Sequence, residues 1–131
     1  MVLLVQLDGF TLLHDPLLNG LYAMWTGQQS AQVMRKNYDS ILRQVRRLRC
    51  SKLLNDSAEG GGGWSELTVW LAQDCFPELA KYGIQAVAWV LPKNAQAFRN
   101  SHQVLALAKA PLIDVFHEAE AAHDWLRKWP K

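Results

Sequence analysis

Apolar and polar positions divide this chain into extended runs near its start and alternating helical and extended runs after them. Val2 to Leu13 reads as one strand kinked at Asp8-Gly9, or as two short strands. His14-Asp15-Pro16 is a turn signal, because proline fixes its own φ and pushes its predecessor out of the helical region. Leu21 to Trp25 is the next strand, with Gly20 reversing the chain before it, so an antiparallel pair is expected at one edge of a sheet.

Gln28 to Arg49 carries the clearest helical period. Ala31, Met34, Tyr38, Ile41, Leu42, Val45 and Leu48 recur at spacings of three and four and form one stripe. At 1.5 Å per residue, about 20 residues span roughly 30 Å, enough to cross a sheet. Ser51–Asn55 follows as an internal strand with the apolar pair Leu53 and Leu54. Asp56 and Ser57 then open a loop that includes the glycines Gly60 to Gly63. A helix starts near Trp64 or Ser65, with Ser65 as N-cap, Glu66 at the positive dipole end, and Leu67, Trp70 and Leu71 toward the core. Pro77 should kink or end that helix, and Gly83 suits the position after its C-terminus.

Ile84 to Leu91 is apolar almost throughout and bounded by Gly83 and Pro92, the pattern of a central strand covered on both faces. Lys93 to Lys109 is a weaker helix, with Asn100-Ser101-His102 as a point where it can break and Pro111 as its stop. Leu112 to Phe116 makes a last strand. Glu118 to Trp129 makes a last helix, with Ala119, Ala122, Trp125, Leu126 and Trp129 along one side. Helices alternating with strands predict an α/β fold: a mixed β-sheet with antiparallel N-terminal strands, later βαβ units, and helices packed on the sheet.

Composition narrows the class. At 131 residues the chain is expected to be one domain spanning 1–131, and with half its residues hydrophobic it can bury a core without disulfide or metal. Cys50 and Cys75 fall in expected helical context without metal-ligand spacing and read as reduced thiols of a cytoplasmic protein. No basic leader precedes the first apolar run, and no segment reaches the roughly 18 apolar residues of a membrane span.

Charge adds one feature. The formal net charge is only +2, yet half of the fourteen basic residues (Arg35, Lys36, Arg43, Arg46, Arg47, Arg49 and Lys52) lie between positions 35 and 52 against one acid, Asp39. Such a face is either solvated or a docking surface for an acidic partner. The missing interleaved aromatics disfavour nucleic acid.

Candidate chemistry is sparse. The glycine run lacks the Gly-Lys-Ser/Thr of a phosphate loop and is credible as a hinge. His14, His102, His117 and His123 are scattered, without the i,i+4 spacing of a helical metal pair. With neither GxSxG nor a paired-carboxylate motif, no enzyme, metal or cofactor is nominated. Of the six tryptophans, Trp25, Trp70, Trp89 and Trp125 fall on core positions; Trp64 and Trp129 flank a loop and a terminus, as a contact surface or as packing over the sheet edge.

The strand-helix order places Leu54-Asn55-Asp56-Ser57 after a central strand. With Trp25-x-Gly27, Gly63-Trp64-Ser65-Glu66, Trp70, Phe76-Pro77, Gly83, Ala88-Trp89-Val90, Phe116 and Ala122-x-x-Trp125-Leu126, the chain resembles the small bacterial STAS-domain-like proteins. That group is related to anti-sigma-factor antagonists and has CRAL-TRIO character. The resemblance covers the chain from about Phe10 onward. It implies a regulatory, non-enzymatic interaction domain that presents the loop after the third strand to a protein partner, with Asp56, Ser57 and Ser65 as candidate phosphoacceptor or interaction residues. Ala58-Glu59 and the glycines depart from the family by delaying the helix. The alternative is a carrier or sensor of a small apolar ligand held between sheet and helices near Trp64, Trp70 and Phe76. Homodimer formation through an exposed apolar edge is compatible with either.

Overall fold

The computed structural model describes residues 1–61 and 64–130, the side chains of Trp64, Ser65 and Ala97 excepted. One six-stranded sheet runs β1 (Val2–Leu7), β2 (Phe10–Asp15), β3 (Gly20–Gln28), β4 (Lys52–Gly61), β5 (Ala86–Val90) and β6 (Leu112–Phe116), with spatial order equal to chain order. The first three strands are antiparallel and β3 to β6 are parallel. The fold is therefore the expected mixed α/β sheet.

Three crossovers stepping the same way place their helices on one face of the sheet, as the uniform hand of βαβ units requires. They are α1 (Ala31–Leu48), the continuous stretch from α2 (Trp64–Trp70) to α3 (Phe76–Lys81), and α4 (Ala95–Leu107). Their core joins Phe10, Leu12 and Trp25 to Met34, Tyr38, Ile41, Leu71, Phe76 and Trp89. The last helix, α5 (Ala119–Lys128), covers the other face through Ala122 and Leu126 on Leu54, Ala88 and Val90. Both faces of β5 are thus buried, which is why its sequence is apolar without alternation.

Local signals set the helix ends. Ser30 caps α1, its Oγ accepting from the N–H of Val33 at 3.2 Å. The stretch Leu71–Cys75 is π-helical, and the N–H of Phe76 donates to the carbonyl of Leu71. The wider turn lets the chain pass Pro77, which has no N–H to donate, into the first turn of α3 without a break. After α3, Gly83 takes φ +120° and donates to Ala80, while Ile84 donates to Leu79. This paired 5→2 and 6→1 closure is the Schellman form.

Several expectations change. Asn100-Ser101-His102 does not interrupt α4, because Asn100 and Ser101 are buried on its inner side and Asn100 accepts from Gln96 one turn earlier. Cys50 lies just beyond α1 and not within a helix, whereas Cys75 keeps its helical place in the π turn; both are buried and unpaired with each other. The expected loop from Asp56 is strand: β4 runs on to Gly61. Past its last β5 pair, Asp56 with Val90, it takes one extra residue against β3 and continues as Glu59, Gly60 and Gly61 beside Thr26, Gly27 and Gln28. Gly60 and Gly61 are therefore not a hinge. A side chain on Gly60 would meet Trp25 Cβ at 3.3 Å, and one on Gly61 would meet Gln28 Nε2 at 2.8 Å. Gly62 and Gly63 lie outside the described residues.

Candidate functional site

Alternation along β4 sends Leu53, Asn55 and Ser57 toward the α1 face, and Leu54 and Asp56 toward α5. Asn55 is wholly buried. Its Oδ1 accepts from Trp25 Nε1 at 2.7 Å, and its Nδ2 donates to Tyr38 Oη at 3.2 Å. Ser57 has no accessible surface, and its Oγ accepts from Trp89 Nε1 at 3.1 Å. Two polar side chains in one strand are thus bonded to indoles of the strands on either side. The Ser57 hydroxyl offers a modifying enzyme nothing to reach in this fold, a correction to its expected place in an open loop.

Asp56 faces the other way and is half-buried. Its Oδ2 accepts from Tyr22 Oη and its Oδ1 from the N–H of Ala58, both at 3.1 Å. Burial, the Asp56 charge and the hydrogen bond to that carboxylate push the Tyr22 phenol up to about 12. Asp56 opens onto a cleft of about 360 Å³ outside the carboxyl ends of the parallel strands. Glu59 stands in the projecting end of β4 there, Lys93 follows β5, and His117 and Glu118 follow β6. Lys93 Nζ and Glu59 Oε1 are 3.0 Å apart and both side chains are exposed; the backbone N–H of Lys93 donates to Ala58 at 3.2 Å.

The candidate residues divide between surface and core. Asp56 lines the cleft; Ser57 is sealed beneath it. Phe76 is fully buried, edge-on to Trp89 at 5.7 Å and to Tyr38 at 6.4 Å, so it fills the core instead of lining a pocket. Trp70 is half-buried under the Arg35 guanidinium, 4.9 Å from its ring centroid. The side chains of Trp64 and Ser65 lie outside the described residues. Expectation missed Tyr22, Glu59, Lys93, His117 and Glu118. Position could have found the last three, since each follows a parallel strand within a few residues, where open α/β sheets present ligand crevices.

The chain matches no protein-family model, no curated protein and no solved structure.

Other chemistry has little footing. Burial pushes the Cys75 thiol well up, and the charges of Asp39, Asp74 and Glu78 add to it. Cys50 is raised by burial against an opposing effect of Arg47. Neither sits where a thiolate forms near neutrality. Among the described residues no three of His, Cys, Asp and Glu gather as metal ligands, and no helix is long and apolar enough to cross a membrane.

Proposed function

We propose that this chain is a regulatory or protein-interaction domain of STAS-like type, non-enzymatic, that meets a partner protein at the carboxyl edge of β3 and β4. The observation that carries the reading is the cleft itself, where the exposed Glu59–Lys93 pair, Asp56, His117 and Glu118 surround the projecting end of β4. Mixed charges on a water-exposed rim suit recognition of a partner's polar groups, with orientation set by charge complementarity. The nucleophile candidate beside the cleft, Ser57, is taken up by packing, which also favours binding over covalent chemistry. The bacterial setting implied by the family resemblance and the cytoplasmic one read from the two cysteines belong to the same proposal. A carrier of small apolar ligands at Phe76 gains nothing from a side chain with no accessible surface.

Photo-crosslinking tests the reading. A crosslinker at Glu59 should trap one discrete protein in lysate of the source organism, and Lys93→Glu should weaken the trapping. The same crosslinker at Gln103, exposed on α4 and away from both ends of the sheet, should trap nothing specific. Equal trapping from both positions, or indifference to Lys93→Glu, would remove the cleft from recognition.

A further inference from the structure

The opposite edge of the sheet carries a separate cleft of about 540 Å³, lined by Arg46, Arg49, Lys81, Tyr82 and Gly83. It forms where the C-terminal ends of α1 and α3 come side by side. The N–H of Gln85 donates to Ser51 at 2.8 Å, and a Cβ on Gly83 would stand 3.3 Å from the Cys50 carbonyl oxygen. That close approach sets Arg49 beside Lys81 and Tyr82.

Cations converge here at the negative carbonyl ends of α1 and α3, with no carboxylate of the described residues beside them. The Arg46 guanidinium lies 4.6 Å from the centroid of the Tyr82 ring, and Lys81 Nζ lies 5.5 Å from the same centroid. Among the described residues no carboxylate comes within 4 Å of Arg46, Arg49 or Lys81. Like charges held together repel, and a ring that fixes two of them leaves little side-chain entropy to lose when an anion arrives. Arg49 adds an independent sign. It ends α1 at φ +56°, a left-handed conformation that glycine adopts freely and arginine only at a cost. The chain carries a charged side chain at a backbone position suited to glycine.

We propose that this cleft binds a phosphate monoester, its dianion held by Arg46, Arg49 and Lys81. Three cations exceed what a single carboxylate neutralises, and guanidinium groups match tetrahedral oxyanions through paired N–H donors. An extended polyanion fits less well. Asp39, Asp74 and Glu78 lie further along the same helices, around Cys75, and the Tyr82 ring face is already taken by cations instead of free for a base. The site stands at the other end of the sheet from the Glu59–Lys93 cleft, so each reading can fail alone.

Titration followed by NMR tests it, with inorganic phosphate, a phosphoserine peptide and the same peptide carrying glutamate as probes, against sodium chloride at matched ionic strength. Phosphate should shift the amides of Arg49, Tyr82 and Gly83 saturably. Arg46→Ala and Lys81→Ala should each weaken binding about five- to tenfold, as loss of one charge-assisted contact does. Arg49→Gly should weaken binding while leaving the melting temperature unchanged or higher, a combination that a purely structural arginine would not give. Binding of the phosphoserine peptide at least about tenfold tighter than inorganic phosphate marks a protein-borne phosphate; equal affinities mark a small free one. Either supports the site. Shifts that chloride reproduces, a glutamate peptide binding as well as the phosphoserine one, or affinities unmoved by all three substitutions would overturn it.

Discussion

The indole of Trp25 and the carboxamide of Asn55 are joined at 2.7 Å across β3 and β4, inside a core where neither side chain meets water. Asn55 also donates to Tyr38, so one amide ties both strands to α1. Asn55→Ala strands a buried indole N–H, opens a small cavity and removes a donor to the phenol. The expected cost is about 2–4 kcal/mol, read as a lower urea midpoint with an unchanged m-value. A loss below about 1 kcal/mol would mean that the network contributes little beyond packing.

Ser57 separates two views of β4. Ser57→Ala removes only the acceptor of the Trp89 indole and should fold, at a loss of about 1 kcal/mol. Ser57→Asp puts a charge where there is no solvent and should cost more than about 3 kcal/mol. Circular dichroism and urea denaturation of both variants check this. A stably folded Ser57→Asp protein would reopen Ser57 to phosphorylation.

Backbone geometry predicts a contrast between two glycines. Gly83 at φ +120° has the Cys50 carbonyl oxygen 3.3 Å from where a Cβ would stand, whereas Gly27 at φ +73° has open space around it. Gly83→Ala should cost about 1–3 kcal/mol, and Gly27→Ala only about 1 kcal/mol. Equal melting temperatures for the two variants would contradict the Schellman closure of α3.

Alkaline stability follows from Tyr22. Its phenol titrates near 10 in the unfolded chain and is pushed up to about 12 in the fold, so the native state retains a proton that the unfolded state releases. The contribution is complete below pH 10 and is lost as pH rises toward 12. Burial raises Tyr38 and Cys75 as well, so they act in the same direction. Tyr22→Phe should flatten the fall in stability between pH 10 and 12, measured by urea denaturation at each pH. An unchanged slope would remove Tyr22 as a source.

The pattern of the chain made some of this legible and hid the rest for a physical reason. Ile84 to Leu91 announced a doubly covered strand because both faces of β5 need apolar side chains. The helical stripe of α1 was equally plain, since Met34, Tyr38, Ile41 and Val45 all reach the core. Asp56-Ser57 and the glycines after Glu59 read as loop because small polar residues usually mean turns. Here the polarity of Asn55 and Ser57 is met by tryptophans about 30 residues away in sequence, which no local period reveals. Gly60 reflects crowding by Trp25 of β3, again a tertiary cause. Position at the carboxyl edge was readable for Lys93 and His117, but their meeting with Asp56 and Glu59 needed the strand register.

Hydrogen exchange followed by mass spectrometry on peptides covering 52–61 tests most directly whether β4 runs through Ser57 as an internal strand. Amides from Lys52 to Ser57 should be protected to the same degree as those of Ala86–Val90, with a fall only at the projecting residues after Ala58. Protection at Asp56 and Ser57 should exceed about a hundredfold over an unstructured chain. Exchange there at the rate of an open loop would contradict the sealed Ser57, and with it the placement of recognition on the Glu59–Lys93 rim.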